Sequence, residues 1–199
     1  MKSLHNFLVT PKEERYNNKS DSGIILNTKL DDHNFVSRKA IVVETPIITD
    51  TNIQKGDELI IHHNVFRRFI NIRGEEVNSS SYFKDNMFFA TPDQVFMYKQ
   101  NNNWIGAEGY CFVKPIKSTN KFDLDTERPL IGILKYSDLG LKKLGINTGD
   151  LIGFTPHSEY EFIIDKERLY RVPTNSISIL YEYQGDEEEY NPSWAESSR

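Results

Sequence analysis

One cysteine in 199 residues, Cys111, leaves no partner for an intramolecular disulfide and rules out a multi-cysteine zinc site. Long apolar runs are missing as well. No stretch approaches the roughly 20 residues of a transmembrane helix, and Met1-Lys2-Ser3-Leu4 does not open a secretory signal pattern. The expected compartment is the cytoplasm, with no membrane partner. An excess of one charge is confined to the end of the chain. The formal net charge is -5, but from Gly185 onward Asp186, Glu187, Glu188, Glu189 and Glu196 stand against Arg199, which accounts for -4 and leaves -1 for the body. A nearly neutral body without a basic stripe has no general footprint for nucleic acid. Glycines in a nucleotide-binding spacing are also lacking: Gly140, Gly145, Gly149 and Gly153 do not fit G-x-G-x-x-G, and no Walker lysine follows. No cofactor is expected. His62-His63 reads as adjacent strand residues pointing to opposite faces, which cannot readily share a metal. Asp57 and Asp150 each follow a glycine at a strand entry and read as turn formers rather than catalytic carboxylates. The chain is therefore expected not to be an enzyme.

What is present is a bare aliphatic tripeptide in a polar setting. From Lys12 to Ser37 the sequence is dominated by polar and charged residues, with breaker chemistry in Asn17-Asn18-Lys19-Ser20-Asp21-Ser22-Gly23, yet Ile24-Ile25-Leu26 follows directly. A segment of this composition buries too little apolar surface to order itself, and long loops of this kind in compact domains are functional or disordered. The reading is a mobile loop, about 12–37, ordered by a groove on another protein. The competing reading is a plain edge strand at Ile24 to Leu26.

An internal repeat organises the rest. Ile53-Gln54-Lys55-Gly56-Asp57-Glu58-Leu59-Ile60-Ile61 answers to Ile146-Asn147-Thr148-Gly149-Asp150-Leu151-Ile152-Gly153-Phe154 at an offset of 93 residues. Upstream, Phe7 to Pro11 answers to Phe112 to Pro115, offset 104 at the prolines. Downstream, Thr91-Pro92 answers to Val172-Pro173, offset 81. The first copy thus carries about eleven more residues before its Gly-Asp turn and about twelve more after it, as expected when strands persist and loops vary. Each half reads as short strands: Asn6 to Thr10, Lys39 to Glu44, Glu58 to His63, Phe66 to Ile72, Tyr82 to Phe89 and Gln94 to Lys99, then Tyr110 to Pro115, Leu130 to Tyr136, Leu151 to Thr155, Tyr160 to Asp165, Arg168 to Val172 and Ser176 to Tyr183. Many short strands at close spacing predict an all-β fold of small barrels or sandwiches. One short helix is predicted over Leu139 to Leu144, with Ser137 or Asp138 as N-cap and Gly145 at its end. Gln100 to Asn103 reads as the linker, which gives units 1–103 and 104–184 and an acidic mobile tail, 185–199.

This order of motifs resembles the small co-chaperonin GroES family, met twice in one chain. The residues that carry the resemblance are Phe7 to Pro11, Gly23-Ile24-Ile25-Leu26, Ala40 to Val43, Gly56-Asp57 into Leu59-Ile60-Ile61, and Pro92 to Phe96. The second half follows through Thr148 to Phe154, Ser158 to Phe162 and Leu169 to Val172. The second half has no Gly-Ile-Ile-Leu counterpart, and neither half holds the family's roof hairpin before its Gly-Asp turn. The resemblance implies two tandem GroES-like β-barrels and a protein that caps an ATP-driven, GroEL-type chaperonin ring and helps enclose unfolded substrates. It implies docking of Gly23, Ile24, Ile25 and Leu26 into the ring's rim, and a homo-oligomeric ring, expected to be a heptamer. The alternative class is a β-barrel binding or structural module, viral or nucleic-acid-associated, without a chaperonin partner. Its candidate face is Arg67, Arg68 and Arg73 with Phe66, Phe69 and Tyr82, since aromatics beside guanidinium groups can stack bases. A half-exposed hairpin is the plainer account of those residues.

Overall fold

The computed structural model describes residues 2–16, 35–119 and 127–197. It is 48% strand and 11% helix, which puts the chain in the all-β class. It divides into two compact units, Met1–Asn103 and Trp104–Arg199. The first holds β1 (Phe7–Pro11), β2 (Lys39–Glu44), β3 (Glu58–Ile61), β4 (Arg68–Ile70), β5 (Glu76–Asn78), β6 (Tyr82–Lys84), β7 (Met87–Ala90) and β8 (Val95–Gln100). A short strand, β9 (Asn103–Gly106), lies at the boundary. The second holds β10 (Tyr110–Lys117), β11 (Glu127–Tyr136), α1 (Leu139–Lys143), β12 (Leu151–Phe154), β13 (Tyr160–Ile164), β14 (Glu167–Pro173), β15 (Ile177–Tyr181) and α2 (Ser193–Ser197). No helix among the described residues is long and apolar enough to cross a membrane.

Strand order is the same in both units: β6-β7-β1-β2-β3-β8 in the first and β13-β14-β10-β11-β12-β15 in the second. The register agrees pair by pair. Val9↔Val42 answers to Val113↔Leu134, Leu59↔Tyr98 to Ile152↔Leu180, and Phe7↔Ala90 to Cys111↔Val172. Irregularities recur at the same places: between Leu8/Val9 and Phe112/Val113, and between Ile60/Ile61 and Gly153/Phe154. A bulge that recurs in both units fixes which residues face the core beyond it. The closing ladder places Met97 opposite Ile60 and Ile179 opposite Gly153, so the downstream offset is 82 at the strands rather than the 81 of the prolines. The first unit's extra residues are therefore twelve between β1 and β2 and eleven between β3 and β7.

Core positions match in kind. Val9 and Val113, Val42 and Leu134, Leu59 and Ile152, and Ile61 and Phe154 are all buried. Where one partner changes size, the opposite strand compensates: large Phe7 faces small Ala90, while small Cys111 faces larger Val172. Cores tolerate such volume-conserving exchanges well.

Each Gly-Asp turn is a backbone clamp. Gly56 N–H donates to Val42 O at 2.9 Å and Val42 N–H donates back to Asp57 O at 3.0 Å; Gly149 and Leu134, and Leu134 and Asp150, do the same at 2.8 and 2.9 Å. The aspartates close the turn, accepting from Gln54 N–H at 2.8 Å and from Asn147 N–H at 2.7 Å. Both glycines sit at positive φ, +92° and +99°, where a side chain is strained.

Three expectations need correction. The sheets do not close into barrels: the edge strands β6 and β9 of the first sheet are not paired with each other, nor are β13 and β15 of the second, among the described residues. Alternating burial specifies a buried face, whereas closure also needs tilt and stagger that carry one edge onto the other. Second, the tail past Gly185 is not a free, mobile end where it is described. Lys117 N–H donates to Glu188 O, Tyr190 N–H donates to Pro115 O, and Ala195 is buried. The cause is Lys114, buried on β10, whose Nζ donates to Asn191 Oδ1 at 2.9 Å; its pKa is lowered by desolvation. A buried ammonium needs a partner, and the tail supplies one. Third, His63 opens a 3-10 turn (His63–Val65) instead of continuing β3. His62 Nδ1 caps that turn, accepting from Asn64 N–H at 3.1 Å, so the two rings lie close, with centroids 4.3 Å apart.

The predicted helix is α1, with Asp138 as N-cap accepting from Leu141 N–H at 2.8 Å. Asn101 and Asn102, in the expected linker, both take positive φ, 50° and 63°, the geometry of a tight two-residue turn.

Cys111 is fully buried in the second unit's core, its Sγ 3.4 Å from Val172 O, and burial pushes the thiol pKa up to about 12. The thiolate is the reactive form. The native protein should resist iodoacetamide at pH 8 and label fully in denaturant; rapid labelling of the native state would contradict this packing.

Candidate functional site

The predicted docking residues Gly23, Ile24, Ile25 and Leu26 lie outside the described residues. What is described is the root from which their segment leaves and to which it returns. The β1–β2 pairing runs on past its strands: Lys12 N–H donates to Lys39 O at 3.0 Å, Ser37 N–H to Arg15 O at 2.8 Å, and Tyr16 pairs with Val36 in an isolated bridge. Tyr16 and Val36 are both buried. The loop expected from about 12 to 37 is therefore ordered at both ends, through Tyr16 and from Phe35. Sequence reading missed this because the anchors, Arg15 and Tyr16, look like ordinary polar loop residues until their partners are known.

Those partners come from the first unit's other insertion. The β4–β5 hairpin, with register Arg68↔Asn78, Phe69↔Val77 and Ile70↔Glu76, has no counterpart in the second unit's strand order. Arg15 grips the start of this hairpin with a fork: Nε and Nη2 both donate to Phe66 O, at 3.1 and 2.6 Å, and Nη1 donates to Asn78 Oδ1 at 2.8 Å. The guanidinium also lies 4.6 Å from the centre of the Phe88 ring. Tyr16 Oη accepts from Arg68 N–H at 2.5 Å. Beneath them Phe66 packs edge-on against Phe88, centroids 5.0 Å apart, and Tyr82 against Phe88 at 5.4 Å. Both insertions of the first copy thus meet at one place, and each orders the base of the other.

Arg15 feels this crowding. Burial lowers its pKa, and the nearby Arg68 guanidinium lowers it further. Tyr16 is pushed up by burial. Arg68 Nη1 donates to Glu76 Oε1 at 2.5 Å, which balances part of the local positive charge.

The hairpin does not form the single aromatic and basic face that the sequence suggested. Phe66 is core. Arg67 stacks on Phe69, 4.9 Å from the ring centre, whereas Arg68 on the next residue lines a cleft with Tyr82. Ile70 and Ile72 are exposed, Ile72 completely. Among the described residues no group of three or more His, Cys, Asp or Glu side chains is placed to hold a metal ion.

No protein-family model and no curated protein matches this chain.

Removing the Tyr16 hydroxyl leaves Arg68 N–H without its acceptor, a loss of about 1 kcal/mol for a part-buried donor. Tyr16→Phe should lower unfolding stability by about that amount and speed hydrogen exchange at the Arg68 amide. An unchanged Arg68 exchange rate would show that the root is held otherwise.

Proposed function

We propose that this chain is a co-chaperonin that caps an ATP-driven chaperonin ring by docking Ile24, Ile25 and Leu26 into an apolar groove on the rim. The observation that supports the reading is the pinned root: a polar segment holding one aliphatic tripeptide starts and ends on an ordered platform, Tyr16 paired with Val36, whereas the matching connection of the second unit, rooted on Lys117 paired with Glu127, has no such tripeptide in its sequence. A platform limits where the tripeptide can reach without requiring the segment itself to be ordered. Each aliphatic side chain fully buried at a groove contributes roughly 1.5–3 kcal/mol, against about 1–2 kcal/mol per residue for ordering backbone. One loop alone therefore binds weakly. A homo-oligomeric ring, of seven chains in this proposal, presents its loops together and raises avidity by about 10² to 10⁴. In this reading the two units are tandem GroES-like domains, the second without a docking tripeptide.

Ile25→Asp is the discriminating variant. A carboxylate in an apolar groove is strongly unfavourable, whereas a change in a solvated loop should cost the fold little. ATP-dependent capture by a chaperonin ring should fall by roughly tenfold or more, with a melting temperature close to the parent's. Unchanged capture would refute the docking role, and a melting temperature lowered by many degrees would assign Ile25 to a core strand instead.

A further inference from the structure

Beside the loop root lies a cleft of about 350 Å³ between the β4–β5 hairpin and β6, and its lining includes Arg15, Arg68, Glu76, Asn78, Tyr82 and Asn86. Two guanidinium groups meet there close enough that Arg68 lowers the pKa of Arg15. Among the described lining residues one carboxylate accompanies them, Glu76, bonded to Arg68 and substantially exposed. Arg15 is rigid before any ligand arrives, held by the Phe66 carbonyl, Asn78 and the Phe88 ring. The remaining lining carries no formal charge: Asn78, Tyr82 and Asn86, with Val77 as its one aliphatic member.

We propose that this cleft binds the phosphate group of a phosphomonoester, with Arg15 and Arg68 as the cationic jaws and Tyr82, Asn78 and Asn86 as neutral donors. A planar carboxylate can be satisfied by one guanidinium, and Glu76 takes a single bond from Arg68 Nη1. A tetrahedral dianion instead suits two guanidinium groups approaching from different elements, together with further donors. Preorganisation of Arg15 reduces the entropy lost on binding. The volume exceeds that of a phosphate alone and lies at the small end of ligand pockets, which leaves room for the rest of an ester. Glu76 opposes the ligand and exchanges its bond to Arg68 for solvent when phosphate enters. The site belongs to the first unit alone, because β4 and β5 have no equivalent in the second. It is independent of the chaperonin reading.

The test uses amide and side-chain NMR shifts of the full chain on titration with sodium phosphate, against sodium chloride at matched ionic strength. Parallel titrations use adenosine 5′-monophosphate and oligothymidylate with and without a 5′-phosphate. Phosphate and both phosphorylated ligands should move the Arg68, Asn78 and Tyr82 signals in saturable fashion. Chloride and the unphosphorylated strand should not. Arg68→Gln should weaken binding roughly tenfold, as expected for loss of a charge-assisted donor. Glu76→Gln, which removes the competing carboxylate and leaves both arginines, should tighten binding. Shifts no larger with phosphate than with chloride would overturn the proposal. So would an unphosphorylated strand binding as well as the phosphorylated one, or a Glu76→Gln variant that binds phosphate more weakly. Neither variant touches Ile24 to Leu26, so failure here leaves chaperonin capture unaffected.

Discussion

The reciprocal pair of backbone hydrogen bonds between a Gly-Asp turn and the second strand of each unit sets everything around it. Gly56 and Asp57 hold Val42, and Gly149 and Asp150 hold Leu134. With those bonds made, β3 can pair with β2 in only one register, and β8 with β3 in only one after the bulge at Ile60/Ile61. A slip of one residue would turn Leu59 and Ile61 out of the core. The positive φ of both glycines and the side-chain closure by both aspartates explain why these residue types stand at the turn twice.

A frame held this firmly tolerates insertion, because loops can lengthen without disturbing the ladder. The first unit differs from the second chiefly by twelve residues between β1 and β2 and eleven between β3 and β7. These insertions are far apart in sequence and adjacent in space, joined through Arg15, Tyr16, Phe66 and Arg68. The second unit uses its own differences for another purpose. Its buried Lys114 stands where the first has Thr10, and the chain's acidic end folds back to give that ammonium Asn191 and nearby carboxylates. In the proposed reading the first unit's insertions serve contact outside the chain, whereas the second unit's difference closes its own surface.

Much of this was legible in the residues. The Gly-Asp turns, the short β-branched strands and the Asp138 cap announce themselves locally, and the changing offsets placed both insertions to within a residue. Contacts made over long sequence distances were not legible. Nothing local marks Arg15 as the grip on Phe66, 51 residues away, or Lys114 as buried, so the loop root and the tail were both read as solvated. Of the two readings of the hairpin, the single aromatic and basic face fails, because composition names candidate residues without telling which of them share a side, and Phe66 is core. The sheet edges, too, were read as closing, since strand patterns carry no information on closure.

The central claim is that the first unit acts through the segment between Tyr16 and Val36 while the paired sheets serve as its platform. Hydrogen exchange on the full chain, with and without an ATP-loaded chaperonin ring, tests it most directly. The account predicts new protection at Gly23 to Leu26, with rates in β10 to β15 unchanged on adding the ring. Protection concentrated instead on the second unit, or no change between 17 and 34, would contradict it.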